Sequence, residues 1–169
     1  MSSIILRAIE PEDLDVLYRI ENDASLWDVG VTNVPYSRFF LHEYVAGMTG
    51  DIYKDGLVRL IIENSEGIVV GIADLLNFDA SNRKAEIGIV IEAPFRGNGY
   101  AIEAIRQIVE YAHRKLHLHQ LYAIVSSENS ASQALFSKAG FLSTANLIDW
   151  LYDGTRYHSA IIMQLVLNH

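Results

Sequence analysis

Apolar residues recur along this chain with two different periods, which predicts both helices and strands. The clearest helical stretch covers residues 100–117, where one apolar stripe has its members at i, i+3, i+6, i+7 and i+10: Ile102, Ile105, Ile108, Val109 and Ala112. Helical patterns also cover PEDLDVLYRIEND (11–23), RFFLHEYVAGM (38–48) and NSASQALFSKAG (129–140). The sequence therefore predicts about four helices.

Seven other stretches are rich in β-branched and aliphatic residues, which predicts strands. They are SIILRAI (3–9), LVRLIIE (57–63), IVVGIADLLNF (68–78), AEIGIVIE (85–92), QLYAIVSS (120–127), FLSTANLIDWLYD (141–153) and TRYHSAIIMQLVL (155–167). Asp153-Gly154, between the last two, is a strong hairpin-turn signal. The order β-α-α-β-β-β-α-β-α-β-β predicts one mixed α/β domain over residues 1–169.

Composition narrows the classes of function. The chain has no cysteine, so disulfides, thiolate zinc sites and a cysteine nucleophile are excluded. A net charge of −8 disfavours non-specific nucleic-acid binding and favours encounter with cations. We see no secretory signal, and Asp74 interrupts the most apolar stretch. His113, His117 and His119 lack a metal-site pattern. We expect a cytoplasmic protein with no metal, nucleic acid or membrane partner.

The segment RGNGYA, residues 96–101, joins a predicted strand to the longest helix and has the composition of an anion-binding loop. A Walker A loop needs a lysine and a hydroxyl that are absent here. A Rossmann fingerprint needs a third glycine where Ile102 stands. The pattern [Q/R]-x-x-G-x-[G/A] does match. Backbone N–H groups and the helix N-terminus can then point at a pyrophosphate, which the small residues Gly97, Gly99 and Ala101 allow to approach closely.

This loop and its surroundings resemble the GNAT superfamily of N-acetyltransferases. KAEIGIVIEAPFRGNGYAIEAI is similar to that family's central strand, loop and helix, and NSASQALFSKAGF is similar to its N-x-x-[AS]-x-x-[LYF]-x-K-x-GF segment. LRAIEPEDLDVLYRIEN resembles the opening strand and helix, and DWLYDGTRYHSAIIMQLV the terminal hairpin. Within the superfamily, the chain resembles the branch of spermidine N-acetyltransferases and Rim-type acetyltransferases of ribosomal-protein N-termini.

The resemblance implies an α/β fold with a mixed, mostly antiparallel sheet of about seven strands, flanked by about four helices and splayed between the fourth and fifth strands. It also implies acetyl-coenzyme A as cosubstrate. Main-chain N–H groups of Ile89 to Ile91 would receive the oxyanion. The coenzyme-binding residues that it implies are Ile89, Val90, Ile91, Arg96, Gly97, Asn98, Gly99, Tyr100, Ala101, Asn129, Ser132 and Phe136. Asn129 also stands at a natural helix N-cap.

Acetyl transfer to an amine needs a base, because an alkylamine with a pKa of about 10.4 is protonated at neutral pH. Glu86 lies in the strand before the loop, and the resemblance points to the same residue. A buried carboxylate beside Ile87 and Ile89 would have a raised pKa, which suits proton transfer near neutral pH. The alternative is a surface residue that pairs with Lys84 or Arg83.

Phe136 stands where many relatives carry a tyrosine as general acid, and phenylalanine has no proton to give. Three explanations stay open. Water or a hydroxyl such as Ser132 or Ser127 substitutes; the thiolate, with a pKa of about 8.5 by analogy with cysteine, leaves unassisted; or the protein binds the coenzyme without catalysis. Phe136 also fits as a packing residue on the helix face of Leu135 and Ala139.

The irregular segment between the first two helices is the usual acceptor loop of this fold. It and the terminal hairpin contain candidate acceptor-binding residues that combine carboxylates with aromatic rings: Glu21, Asp23, Trp27, Asp28, Asp149 and Tyr152. The alternative is an ordinary acidic surface. We expect an N-acetyltransferase for a polyamine such as spermidine; the alternatives are a Rim-type protein N-terminal acetyltransferase and a non-catalytic acyl-coenzyme A sensor. Enzymes of this branch are often oligomers, and the sequence leaves a homo-oligomer open.

Overall fold

A computed structural model describes residues 3–23 and 35–168 of the protein. Trp27 and Asp28, two of the candidate acceptor residues, lie outside these ranges. Seven strands form one sheet in the order β1-β2-β3-β4-β5-β7-β6. They are β1 (Ile4–Ala8), β2 (Val58–Asn64), β3 (Val69–Asp79), β4 (Lys84–Ile91), β5 (Gln120–Ser126), β6 (Leu142–Tyr152) and β7 (Tyr157–Val166). All seven predicted strands are confirmed.

The described residues contain five α-helices: α1 (Leu14–Glu21), α2 (Arg38–Ala46), α3 (Ile52–Asp55), α4 (Tyr100–Arg114) and α5 (Ser130–Lys138). Four of them match the predicted helices. The additional helix, α3, is a single turn that begins where the Asp51 side chain accepts a hydrogen bond from Tyr53 N (2.9 Å) and ends at Gly56, with φ +71°. One turn is too short to show a helical period, so the apolar pattern did not predict it.

The sheet lies between two helical layers. On one face, α4 packs through its predicted stripe, and α5 adds Phe136. On the other face, α1 and α2 bury Leu17, Ile20 and Leu41 against Ile61 and Ile72 of the sheet. Alternate side chains of a strand point to opposite faces, so β2, β3 and β4 contribute to both apolar cores.

The sheet opens between β4 and β5. These two strands are parallel and pair over only three positions, Lys84 with Gln120, Ala85 with Leu121, and Glu86 with Tyr122. Each strand continues beyond the last pair, β4 to Ile91 and β5 to Ser126. β5 meanwhile stays paired with β7 over its whole length. The predicted splay between the fourth and fifth strands is confirmed, and it creates an opening in the middle of the sheet.

No helix within the described ranges is both long enough and apolar enough to cross a membrane.

Candidate active site

The opening between β4 and β5 leads into a cavity of about 460 Å³. Side chains from both helical layers and from the sheet line it. It brings together seven of the predicted site residues: Glu21, Glu86, Ile89, Val90, Asn129, Ser132 and Phe136. Residues that are distant in the sequence therefore meet at one place, where the fold has removed a stretch of strand pairing.

Three of the candidate acceptor residues that the structure describes lie elsewhere. Asp23 follows α1, and its backbone N–H donates to Ile20 O (3.2 Å). Asp149 is exposed on β6, where its N–H donates to Ser159 Oγ (3.3 Å). Tyr152 lines a separate cleft beneath the β6–β7 hairpin. None of the three is among the described residues that line the large cavity.

The predicted anion-binding loop precedes α4 and has the required backbone geometry. Gly97 and Gly99 have φ of +79° and +81°, a region that other residues rarely adopt. Gly99 is the N-cap of α4, whose first N–H groups have no acceptor within the helix. Asn98 Nδ2 donates to Phe95 O (2.9 Å), which holds the loop in shape. The loop therefore fits a diphosphate, because it presents N–H donors at the positive end of a helix dipole.

Strand β4 supplies free backbone donors at the split. Along a strand, successive N–H groups point alternately to the two neighbouring strands. Glu92 N donates to Val70 O of β3 (2.9 Å), so the N–H groups of Ile91 and Ile89 point the other way, toward the space that β5 has left. The same alternation directs the N–H of Val90 to β3. Ile91 O accepts a hydrogen bond from Arg96 Nε (2.9 Å), which agrees with this direction.

Glu86 is half-buried at the last paired position before the two strands separate. Its Oε2 accepts a hydrogen bond from Asn77 Nδ2 (2.8 Å), and the side chain lines the cavity. Burial raises the pKa of Tyr122, and the charge of Glu86 adds to this effect. Arg83, one of the two surface partners considered above, instead donates its Nε to His117 O (2.8 Å).

Three charged side chains form a cluster in the cavity wall, and only Glu21 among them is a candidate site residue from the sequence. Arg59 donates to Asp74 through Nε (2.9 Å) and Nη2 (3.1 Å), and its Nη1 lies 2.6 Å from Glu21 Oε1. The Arg59 and Asp74 side chains are only 16% and 13% exposed. Burial raises the pKa of Asp74, an effect that the charge of Arg59 opposes. Two carboxylates against one guanidinium favour an adjacent cation.

Helix α5 contributes a cap and an apolar wall. Asn129 Oδ1 accepts a hydrogen bond from Ser132 N (3.0 Å), which confirms the predicted N-cap. Phe136 is buried and packs edge-on against Phe141, with ring centroids 5.2 Å apart. Of the two hydroxyls considered as substitutes for a tyrosine, Ser132 lines the cavity, whereas Ser127 is not among the described lining residues.

In the described part of the chain, no group of three or more histidine, aspartate or glutamate side chains is arranged to hold a metal ion.

A sheet split beside a loop that fits a diphosphate, with a carboxylate at the point of separation, is the arrangement of an acyl-coenzyme A-dependent N-acyltransferase. The chain belongs to the Acetyltransferase (GNAT) domain family, whose sequence pattern matches residues 3–142. Acetyl-coenzyme A is the acetyl donor of this class, and the predicted family is confirmed.

Two enzymes named for spermidine are similar to almost the whole chain. Spermidine N(1)-acetyltransferase of Vibrio cholerae is 25% identical over 165 residues, which cover 98% of this chain and 94% of the relative. The enzyme of the same name from Escherichia coli K12 is 28% identical over 165 residues, with 95% and 84% covered. Among solved structures, spermidine N-acetyltransferase of Vibrio cholerae in complex with CoA and spermine superposes with a TM-score of 0.85 at 25% identity, covering 96% and 95% of the two chains. The predicted branch is confirmed.

Proposed function

We propose that this protein transfers an acetyl group from acetyl-coenzyme A to a primary amine of a polyamine such as spermidine. The observation that carries the proposal is the charge of the cavity. Three carboxylates line it, those of Glu21, Asp74 and Glu86, and the guanidinium of Arg59 is the one cationic group among its described lining residues. A cavity with this balance attracts a cation with several amino groups and leaves an anionic acceptor unpaired.

The donor would bind from the loop side of the split. Its diphosphate fits the N–H groups at the start of α4, and its thioester would reach the opening where β5 leaves β4. There the N–H groups of Ile89 and Ile91 would donate to the oxygen that becomes negatively charged. Bound acetyl-coenzyme A supplies the activated acetyl group. The protein positions it, and Asn129 and Ser132 of α5 line the same passage.

Glu86 would remove the proton from the acceptor amine, directly or through one water molecule. Glu86 lies at the last paired position, where the two strands separate, and its side chain lines the cavity. The hydrogen bond from Asn77 holds Oε2, and Oε1 remains for the amine. Phe136 cannot protonate the departing thiolate, so Ser132 is the hydroxyl best placed for this step among the residues considered above.

The testing experiment follows release of the coenzyme thiol from acetyl-coenzyme A. Spermidine, spermine, an Ala- or Ser-starting peptide and free amino acids would each be compared with an amine-free blank. We expect thiol release with the two polyamines and with neither of the others. Release with the peptide alone would move the protein to the Rim-type class. Tight coenzyme binding without release by any amine would support the sensor alternative.

We further propose that the protein forms a homo-oligomer through the edge strand β6. Four large apolar side chains of this strand are 56% to 81% exposed: Leu142, Ile148, Trp150 and Tyr152. An exposed apolar edge strand is a template for pairing with another chain, and a second copy presents the same strand. One solved structure of the Vibrio cholerae enzyme is dodecameric. Light scattering should show a multimer for the wild type and a smaller species for Ile148→Lys.

A further inference from the structure

A second charged cluster lies beneath the β6–β7 hairpin, outside the catalytic groups described above. His158 of β7 lies between two carboxylates, with Nε2 2.5 Å from Asp153 Oδ2 and Nδ1 2.9 Å from Glu128 Oε2. Its side chain is only 11% exposed. The Nε2 contact with Asp153 is a hydrogen bond, and the Nδ1 contact with Glu128 is an ion pair when the ring carries both protons. The geometry therefore fits an imidazolium ion.

These contacts join two segments of the chain. Asp153 begins the hairpin turn, where its Oδ1 accepts from Thr155 N (2.7 Å) and Arg156 N (2.9 Å). Glu128 belongs to the loop between β5 and α5, and its Oε1 accepts from Arg156 Nη2 (3.1 Å). We call His158 with Glu128 and Asp153 the hairpin latch. It ties the turn that ends β6 to the loop that precedes α5.

The latch lies next to the large cavity. A cleft of about 140 Å³ under the hairpin shares two lining residues with it, Ser126 and Leu151. Ser126 precedes Glu128 by two residues, and Leu151 precedes Asp153 by two. The first of these two short segments is also closed by a hydrogen bond, since Glu128 N donates to Ser126 Oγ (3.3 Å). A change in the distance between Glu128 and Asp153 therefore moves two residues of the cavity wall relative to each other.

We propose that the His158 imidazolium is a positioning residue for acetyl transfer, which holds Ser126 and Leu151 at the spacing that the acceptor requires. This inference rests on the proposed acetyltransferase function. His158 is not among the described residues that line the large cavity, and it acts through Glu128 and Asp153. A neutral ring no longer carries the positive charge that attracts the Glu128 carboxylate, so the Glu128 side of the latch would open.

The direction of the pH dependence follows from the groups that face the ring. In the described part of the chain these are Glu128 from the β5–α5 loop and Asp153 and Arg156 from the hairpin. The hydrogen bond to Asp153 raises the pKa of His158, and the charge of Glu128 adds to this effect, whereas burial and Arg156 oppose it. The latch is therefore complete at pH values below about 6.5, the ordinary pKa of histidine. It is lost as the pH rises through the raised pKa that His158 has in the folded protein.

The first test needs no catalysis. In NMR spectra of the full-length protein, the His158 ring and the backbone amides of Ser126 and Leu151 would be followed between about pH 5 and 9. We expect the three signals to change with one common midpoint above about 6.5. Amides that stay still while the ring titrates, or a ring that titrates at or below the ordinary value, would overturn the proposal.

The second test uses kinetics with spermidine. His158→Asn should raise KM for the amine about fivefold at pH 6.5 or below, where the wild type has a complete latch, and should leave kcat nearly unchanged. Its KM should lose the pH dependence of the wild type. His119→Asn, at an exposed histidine, is the matched control and should behave as the wild type does. A wild-type pH profile for His158→Asn would refute the latch.

Failure of the two proposals can be told apart. If no amine releases thiol, the proposed function fails, and the NMR titration of the wild type still decides whether the latch moves the cavity wall. If spermidine is acetylated and His158→Asn keeps the wild-type profile, the function stands and the latch is refuted. A variant that does not fold is recognised by circular dichroism, and the wild-type titration then decides alone.

Discussion

Arg59 and Asp74 stand directly opposite each other on β2 and β3, and the guanidinium donates two hydrogen bonds, of 2.9 and 3.1 Å, to the carboxylate. The third contact of Arg59 reaches Glu21 at the end of α1. The same cation thus holds two carboxylates in the cavity wall and ties the helical layer to the sheet. This arrangement makes the stability of the fold depend on a group that also sets the charge of the site.

Arg59→Leu should lower the free energy of unfolding by about 3–5 kcal/mol, because it leaves a buried carboxylate without its partner. The double variant Arg59→Leu/Asp74→Leu should recover part of this loss, since it removes the more deeply buried of the two carboxylates that Arg59 neutralises and leaves Glu21 unpaired. Urea unfolding measures both. Arg106→Leu is the control: this arginine is 57% exposed, its contact with Glu103 is 3.9 Å, and its loss should cost less than about 1 kcal/mol. A double variant as unstable as the single one would contradict this reading.

Glu86→Gln should lower kcat for spermidine by about a hundredfold or more, because the amide cannot accept the proton of the amine. Glutamine can still accept the hydrogen bond from Asn77, so the local geometry should persist. Steady-state rates and the acidic limb of the pH–rate profile check this. Glu66→Gln, at an exposed turn, should leave both unchanged. If Glu86→Gln kept the wild-type profile, another group would be the base.

Much of the fold could be predicted because each central element leaves a local pattern. The stripe of α4 and the glycines at positions 97 and 99 are visible without any tertiary information, and both lie where the pattern indicated. The Arg59–Asp74 contact has no such signal. A charged residue inside each of two apolar strands suggests a buried pair only when the register is known, and β2 pairs with β3 through a shift near Ile62 that no local pattern shows.

The residues that would bind the acceptor were harder to predict than those that would bind the coenzyme, because contacts between distant segments leave no local pattern in the sequence. The sequence indicates Glu21 as a candidate acceptor-binding carboxylate, and no local pattern shows its contact with Arg59. Asp149 and Tyr152 were grouped with the acceptor loop by composition, and their strand β6 lies at the far edge of the sheet. The roles of Glu86 and of the coenzyme-binding residues stay predictions, since position in a cavity does not measure chemistry.

Gly99→Asp should weaken coenzyme A binding by at least about tenfold compared with Gly99→Asn. Both side chains have nearly the same size and both tolerate the positive φ of this position better than other residues do, so the comparison isolates the negative charge beside the diphosphate. An aspartate at a helix N-cap does not destabilise the helix, which separates lost binding from lost folding. Isothermal titration calorimetry measures the two affinities. Equal affinities would remove the start of α4 from the diphosphate site.

The Asp13 carboxylate predicts how stability depends on pH. Arg7 donates to Asp13 through Nη1 (2.7 Å) and Nη2 (2.9 Å), and Glu10 N donates to the same carboxylate (2.7 Å). Asp13 is only 4% exposed. The hydrogen bond from Arg7 lowers the pKa of Asp13 below its ordinary value. The stabilisation that this ion pair gives to the folded state is therefore fully present above about pH 3.9, the ordinary pKa of aspartate. It is lost as the pH falls through the lower pKa that Asp13 has in the folded protein.

Asp13→Asn should lower the free energy of unfolding at pH 7 by about 1–3 kcal/mol, because Arg7 loses its more buried partner and keeps only the contact of Nε with Glu63 Oε2 (2.7 Å). The difference between variant and wild type should narrow below about pH 4, where the wild-type carboxylate takes up a proton on unfolding. Asp15→Asn is the control: its side chain is 79% exposed, and its loss should cost less than about 1 kcal/mol at every pH. Urea unfolding at a series of pH values measures all three proteins. A gap between Asp13→Asn and the wild type that stays constant down to about pH 2 would show that the ionised carboxylate is not the source of the stability, since the linkage requires the gap to follow its titration.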